Sequence, residues 1–91
     1  MELKPFDIPI MTLHNESETE TIDVLIEPHL ELYELPAKTA CVVYYFQTPD
    51  NNMPEKNLEV AYRDDCIVIY PPGEFSPVLK IDGVAMKNRW G

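Results

Sequence analysis

The chain has 91 residues, with sixteen Asp and Glu against seven Lys and Arg and a net charge of −9. One hydrophobic core is the limit at this length, and a hydrophobic content of 45% excludes a disordered chain. The acidic balance opposes binding to a phosphate backbone, so nucleic acid is not an expected partner.

Period-two alternation between turn signals dominates, and nine scattered prolines leave few windows for an uninterrupted helix. The first expected strand covers residues 6–13, where Pro9 argues for an edge position or a bulge. Residues 1–18 are thus read as an edge strand followed by a polar loop from His14. Residues 19–27 alternate, with Ile22, Val24 and Ile26 inward, until Pro28 breaks the pattern. Residues 29–35 place Leu30 and Leu32 on one face and Glu31, Tyr33 and Leu35 on the other. After the turn at Pro36-Ala37-Lys38, residues 39–47 have no polar face and are the expected central strand.

Residues 48–56, rich in Pro, Asp and Asn, form the longest expected loop. Residues 57–62 and 66–70 should make a hairpin across Arg63-Asp64-Asp65. Extended structure resumes at residues 78–81, and Asp82-Gly83 has the chemistry of a type I′ turn into a return strand over residues 84–90. The sum is one all-β domain over residues 1–91, an antiparallel sandwich or closed barrel of about seven or eight short strands.

The order of Ile26-Glu27-Pro28, Glu34-Leu35-Pro36, the apolar strand from Thr39, Leu58-Glu59-Val60, and Asp64-Asp65 before Cys66-Ile67-Val68-Ile69-Tyr70 resembles a group of short uncharacterised bacterial proteins. The resemblance spans residues 20–85 and rests mainly on turn chemistry. It implies an all-β fold and carries over no activity, supporting fold class only. Residues 48–56 and Tyr70-Pro71-Pro72 depart from that pattern.

No catalytic set stands out. A nucleophilic triad needs a histidine base, and the chain has only His14 and His29, both read as turn residues. Ser17 and Ser76 lie in loops without a nucleophile elbow. Glu27, His29 and Glu31 are interrupted by Pro28, so no metal is expected, and three glycines make no phosphate cradle, so no cofactor is expected. Asp64-Asp65 reads as turn chemistry rather than an acid and base pair. Asn15-Glu16-Ser17 matches a glycosylation acceptor, which matters only in a secreted chain. Cys41 and Cys66, each in an apolar segment, read as free thiols, with a single disulfide as the alternative.

The longest apolar run, residues 40–46, is far below the roughly 18 residues of a membrane helix, so no membrane association is expected. Met1-Glu2-Leu3-Lys4-Pro5 lacks the features of a signal or transit peptide, making the cytoplasm the default location.

The charge is uneven: residues 1–35 hold nine acids and one base, and residues 36–91 hold seven acids and six bases. Solubility is the plain explanation. The functional expectation is a non-enzymatic interaction domain of inhibitor, immunity or accessory type. Its acidic, tyrosine-containing face, drawn from Glu20, Asp23, Glu31, Tyr33, Glu34 and Trp90, would meet a basic protein. The basic-aromatic end of Lys87, Arg89 and Trp90 could pack on the acidic first third, in the same molecule or in a neighbouring one. Two alternatives are self-assembly through edge strands as a homo-oligomer and a small-molecule binder or enzyme with a barrel interior.

Overall fold

The computed structural model describes residues 8–45, 58–73 and 75–91. Eight strands follow in chain order: β1 (Ile8–Asn15), β2 (Ile22–Ile26), β3 (Glu31–Leu35), β4 (Thr39–Tyr45), β5 (Glu59–Arg63), β6 (Cys66–Tyr70), β7 (Val78–Ile81) and β8 (Val84–Ala85). They form two four-stranded sheets, β1-β4-β7-β8 and β3-β2-β6-β5. The fold is a sandwich; the barrel alternative is not realised, because each sheet keeps separate edges.

Alternation explains the core. Leu13, Cys41, Val43 and Leu79 from the first sheet meet Val24, Ile26, Tyr33, Leu35 and Ile69 from the second. Strand β4, flanked by β1 and β7, holds the central position its apolar run implies. In β1 the register slips between Pro9 and Met11, a bulge that places Leu13 and Asn15 inward. The strand therefore runs two residues past its expected end at Leu13, and His14 and Asn15 belong to it rather than to the loop.

Two features depart from a purely antiparallel meander. Strands β2 and β6 pair in parallel, with Leu25 opposite Val68. Short connections dictate antiparallel pairing only between consecutive strands, whereas the chain visits the first sheet as β4 between β2 and β6. The return strand β8 is only two residues long. Beyond it the chain crosses to β3, where the Leu32 N–H donates to Asn88 Oδ1 (3.0 Å) and the Arg89 N–H donates to the Leu32 carbonyl (2.7 Å).

Both predicted hairpin turns have the expected geometry. Asp64 and Asp65 have φ of 50° and 63°, and Asp82 and Gly83 have 49° and 80°, the left-handed pair that a two-residue turn between twisted strands requires. The Glu27-Pro28 bond in the β2–β3 connection is cis. The expected loop over residues 48–56 lies outside the described residues. Among the described residues no helix is long and apolar enough to cross a membrane.

Candidate interaction surface

The candidate surface lies on the second sheet, at the β5 edge and the tip of the β5–β6 hairpin. Cross-strand register sorts its outward side chains into rows. One row runs Leu32, Leu25, Val68, Ala61 across all four strands, and the next runs Glu34, Asp23, Cys66, Arg63. Val68 is fully buried although it faces away from the interior. On the same face the Arg63 guanidinium reaches Glu27 at 3.2 Å from two strands away. The Arg63 side chain stays half-exposed along this path.

The inward rows run Tyr33, Val24, Ile67, Tyr62 and Glu31, Ile26, Ile69, Val60. At the β5 end these side chains leave the sandwich. Val60 is 50% exposed and Tyr62 is 73% exposed, so β5 overhangs the facing sheet. The Tyr62 hydroxyl donates to Asp65 Oδ1 at 3.2 Å across the turn. That hydrogen bond raises the Tyr62 pKa, helped by the charge of Asp65 and, more weakly, of Glu20. Asp65 thus sets the negative field at Tyr62. Among the described residues, Glu20, Asp23, Asp64 and Asp65 form no ion pair.

The residues expected to bind a partner divide between this surface and the interior. Asp23 and Glu34 are exposed and directly opposite one another on the outer face, where Glu34 pairs with Arg89 at 3.0 Å. Through Arg89, the basic C-terminal end thus meets the acidic first third of the same molecule. Trp90 is 57% exposed beside it in sequence. Glu20 is exposed in the β1–β2 connection. Tyr33, in contrast, is a core residue at 8% exposure, since the β3 register turns it inward beside Val24. Its hydroxyl donates to Glu31 Oε1 at 3.1 Å, and Ser76 Oγ donates to the same oxygen. Tyr33 is therefore a buried support of the fold, while Glu31, bonded to Tyr33 and Ser76, stays half-buried.

Sequence reasoning missed Tyr62, Asp64 and Asp65. The hairpin signal was present, but a turn reading of the two aspartates hid the fact that a turn can also be a charged tip. Among the tyrosines, Tyr33 and Tyr45 are buried and Tyr44 and Tyr70 are half-buried. Lys80 covers the Tyr44 ring at 5.1 Å from its centroid.

The remaining candidates resolve into structural roles. Ser17 Oγ accepts from the Glu20 N–H at 3.0 Å, ordering the β1–β2 connection. Asn15, the presumptive glycosylation acceptor, is 2% exposed, and its Nδ2 donates to three backbone carbonyls. Cys41 and Cys66 are free, Cys41 facing the interior from the first sheet and Cys66 facing outward from the second. Among the described residues no group of three His, Cys, Asp or Glu gathers as metal ligands. An open cleft of about 240 Å³ runs beside Glu34, Ile81, Met86 and Arg89.

The chain matches no family model, no curated protein and no solved structure.

Proposed function

We propose that this protein is a non-enzymatic interaction domain that presents an acidic, tyrosine-bearing surface to a basic protein partner. The observation that carries the reading is Tyr62, a 73% exposed aromatic ring held by Asp65 at the tip of a hairpin. Around it, Glu20, Asp64 and Asp65 carry charge that no cation among the described residues neutralises. Unneutralised carboxylates steer a basic surface into encounter, and an aromatic ring at the centre supplies area that a contact can bury. The partner-facing residues are then Glu20, Asp64, Asp65 and Tyr62, with Asp23 and Glu34 on the adjoining outer face.

The test is affinity capture on the immobilised chain at low salt, comparing the native sequence with Asp64→Asn/Asp65→Asn and with Tyr62→Ala. Asparagine tolerates positive φ, so the double variant removes charge while keeping the turn. The expected result is a basic protein retained by the native chain, released as ionic strength rises, and lost from both variants. Capture indifferent to salt and to both variants overturns the reading.

A further inference from the structure

We propose that β5 is the seam of a homodimer, in which two copies pair their β5 strands antiparallel about a two-fold axis through Ala61. The second sheets of the two copies then join into one continuous sheet. The seam covers Tyr62 and leaves Asp64 and Asp65 outside it, so a basic partner would meet the dimer at the two aspartates and the Tyr62 ring only on the monomer.

The first support is elimination among edges. Strand β1 carries Pro9 and a bulge, both of which spoil pairing. Strand β8 is two residues long. The edge of β3 is covered, since Leu32 N–H and C=O are taken by Asn88 and Arg89. Strand β5 has five residues and, among the described residues, a neighbour on one side only.

The second support is the phase of its hydrogen bonds. Residues flanking a two-residue turn form a hydrogen-bonded pair, so Arg63–Cys66, Ala61–Val68 and Glu59–Tyr70 are the bonded pairs of the hairpin. The N–H and C=O groups of Val60 and Tyr62 therefore aim away from β6. With the axis at Ala61, Val60 exchanges both backbone bonds with the partner's Tyr62, and Tyr62 does the same with the partner's Val60. Ala61 then faces the partner's Ala61 in a non-bonded pair, where the Cα atoms approach to about 4.5 Å and a small side chain fits.

The third support is charge. The strand reads Glu59-Val60-Ala61-Tyr62-Arg63, and the two-fold places Glu59 opposite the partner's Arg63 at both ends, where each Arg63 exchanges its half-exposed bond to Glu27 for one to the facing Glu59. The same operation brings the exposed Val60 and Tyr62 side chains of the two copies against each other, covering the apolar overhang. One strand thus satisfies its backbone, its charges and its exposed apolar area with a second copy of itself.

Sedimentation velocity across a concentration series tests the seam on the native chain, Glu59→Arg, Glu59→Arg/Arg63→Glu and Val60→Pro. The expected result is a native monomer–dimer equilibrium whose midpoint concentration rises about tenfold or more in Glu59→Arg, where like charges face each other twice. Net charge alone predicts the opposite, because this change moves the chain from −9 to −7 and lessens overall repulsion. The double swap should recover association relative to Glu59→Arg. Arg63 also holds Glu27, so Val60→Pro is the second route: it removes an outward N–H and should abolish the dimer while the circular dichroism stays that of a folded β-protein. A native chain that remains monomeric at millimolar concentration overturns the proposal. So does a dimer that neither Glu59→Arg nor Val60→Pro weakens, which would place the interface elsewhere.

Discussion

Asn15 at the end of β1 donates from Nδ2 to the Leu35 carbonyl at the end of β3, at 3.0 Å, and so fastens one sheet to the other. The same amide reaches the carbonyls of Glu20 (2.8 Å) and Pro36 (3.1 Å), and Oδ1 accepts from the Ser17 N–H (3.1 Å). Asn15 is the one fully buried polar residue of the described core. Replacing it with Ala or Leu removes the donor shared by three carbonyls, of which that of Leu35 lies at a buried bond, and an orphaned buried group costs about 1–3 kcal/mol. Asn15→Leu should therefore lose about 2–4 kcal/mol in urea unfolding despite its apolar character. A loss below about 0.5 kcal/mol would mean that the carbonyls find other donors.

Tyr33 makes the fold sensitive to high pH. Burial first, and then the charge and hydrogen bond of Glu31, push its hydroxyl from an ordinary value near 10 up to about 12. Between these values the unfolded chain has released this proton and the folded chain still holds it, so stability falls as pH rises. The contribution is complete below pH 10 and is lost by about pH 12. Tyr33→Phe should flatten the decline of the urea midpoint across that window, although it also removes the bond to Glu31. An equal decline in the native and Phe chains would assign the titration to other groups.

The two thiols should differ sharply in reactivity. Cys41 is fully buried, and burial raises its pKa against the smaller lowering effect of a backbone bond with Leu13. Cys66 is half-buried on the outer face, in the row with Asp23 and Arg63. A thiol reagent at neutral pH should modify one cysteine quickly and the other at least about a hundredfold more slowly, because the slow site must await opening of the sandwich. Peptide mapping identifies them, and Cys66→Ser should remove the fast phase. If the fast phase persists in Cys66→Ser, the interior placement of Cys41 is wrong.

Local pattern carried most of the fold. Alternation, apolar runs and turn chemistry located all eight strands, and Asp82-Gly83 announced its turn because only a few residue types tolerate positive φ at both turn positions. Long-range pairing was not readable in the same way. Nothing in Leu25 or Val68 says that β2 and β6 run parallel, since both strands are apolar enough to take either partner. The candidate surface was half legible: Glu20, Asp23 and Glu34 were visible and Asp64 and Asp65 only as a turn, while which tyrosine reaches solvent depends on how far β5 overhangs the other sheet. That overhang follows from the packing of two sheets and has no signature in residues 59–63. Tyr33 and Tyr62 both sit in alternating strands, and only the facing sheet distinguishes them.

Leu30 is the residue whose backbone and side chain are least consistent with one another. It has φ of 56° and is 65% exposed in the connection between β2 and β3. The left-handed region costs a residue bearing Cβ about 1–2 kcal/mol, whereas glycine enters it freely and loses about 0.5–1 kcal/mol of that gain through its more flexible unfolded state. Leu30→Gly should therefore raise stability by about 0.5–1 kcal/mol. Leu30→Ala keeps the unfavourable φ while removing the exposed side chain, and it should leave the urea midpoint nearly unchanged. If alanine stabilises as much as glycine, exposed apolar area rather than backbone strain is the cause. If glycine destabilises, the Leu30 side chain makes a contact worth more than the strain it imposes.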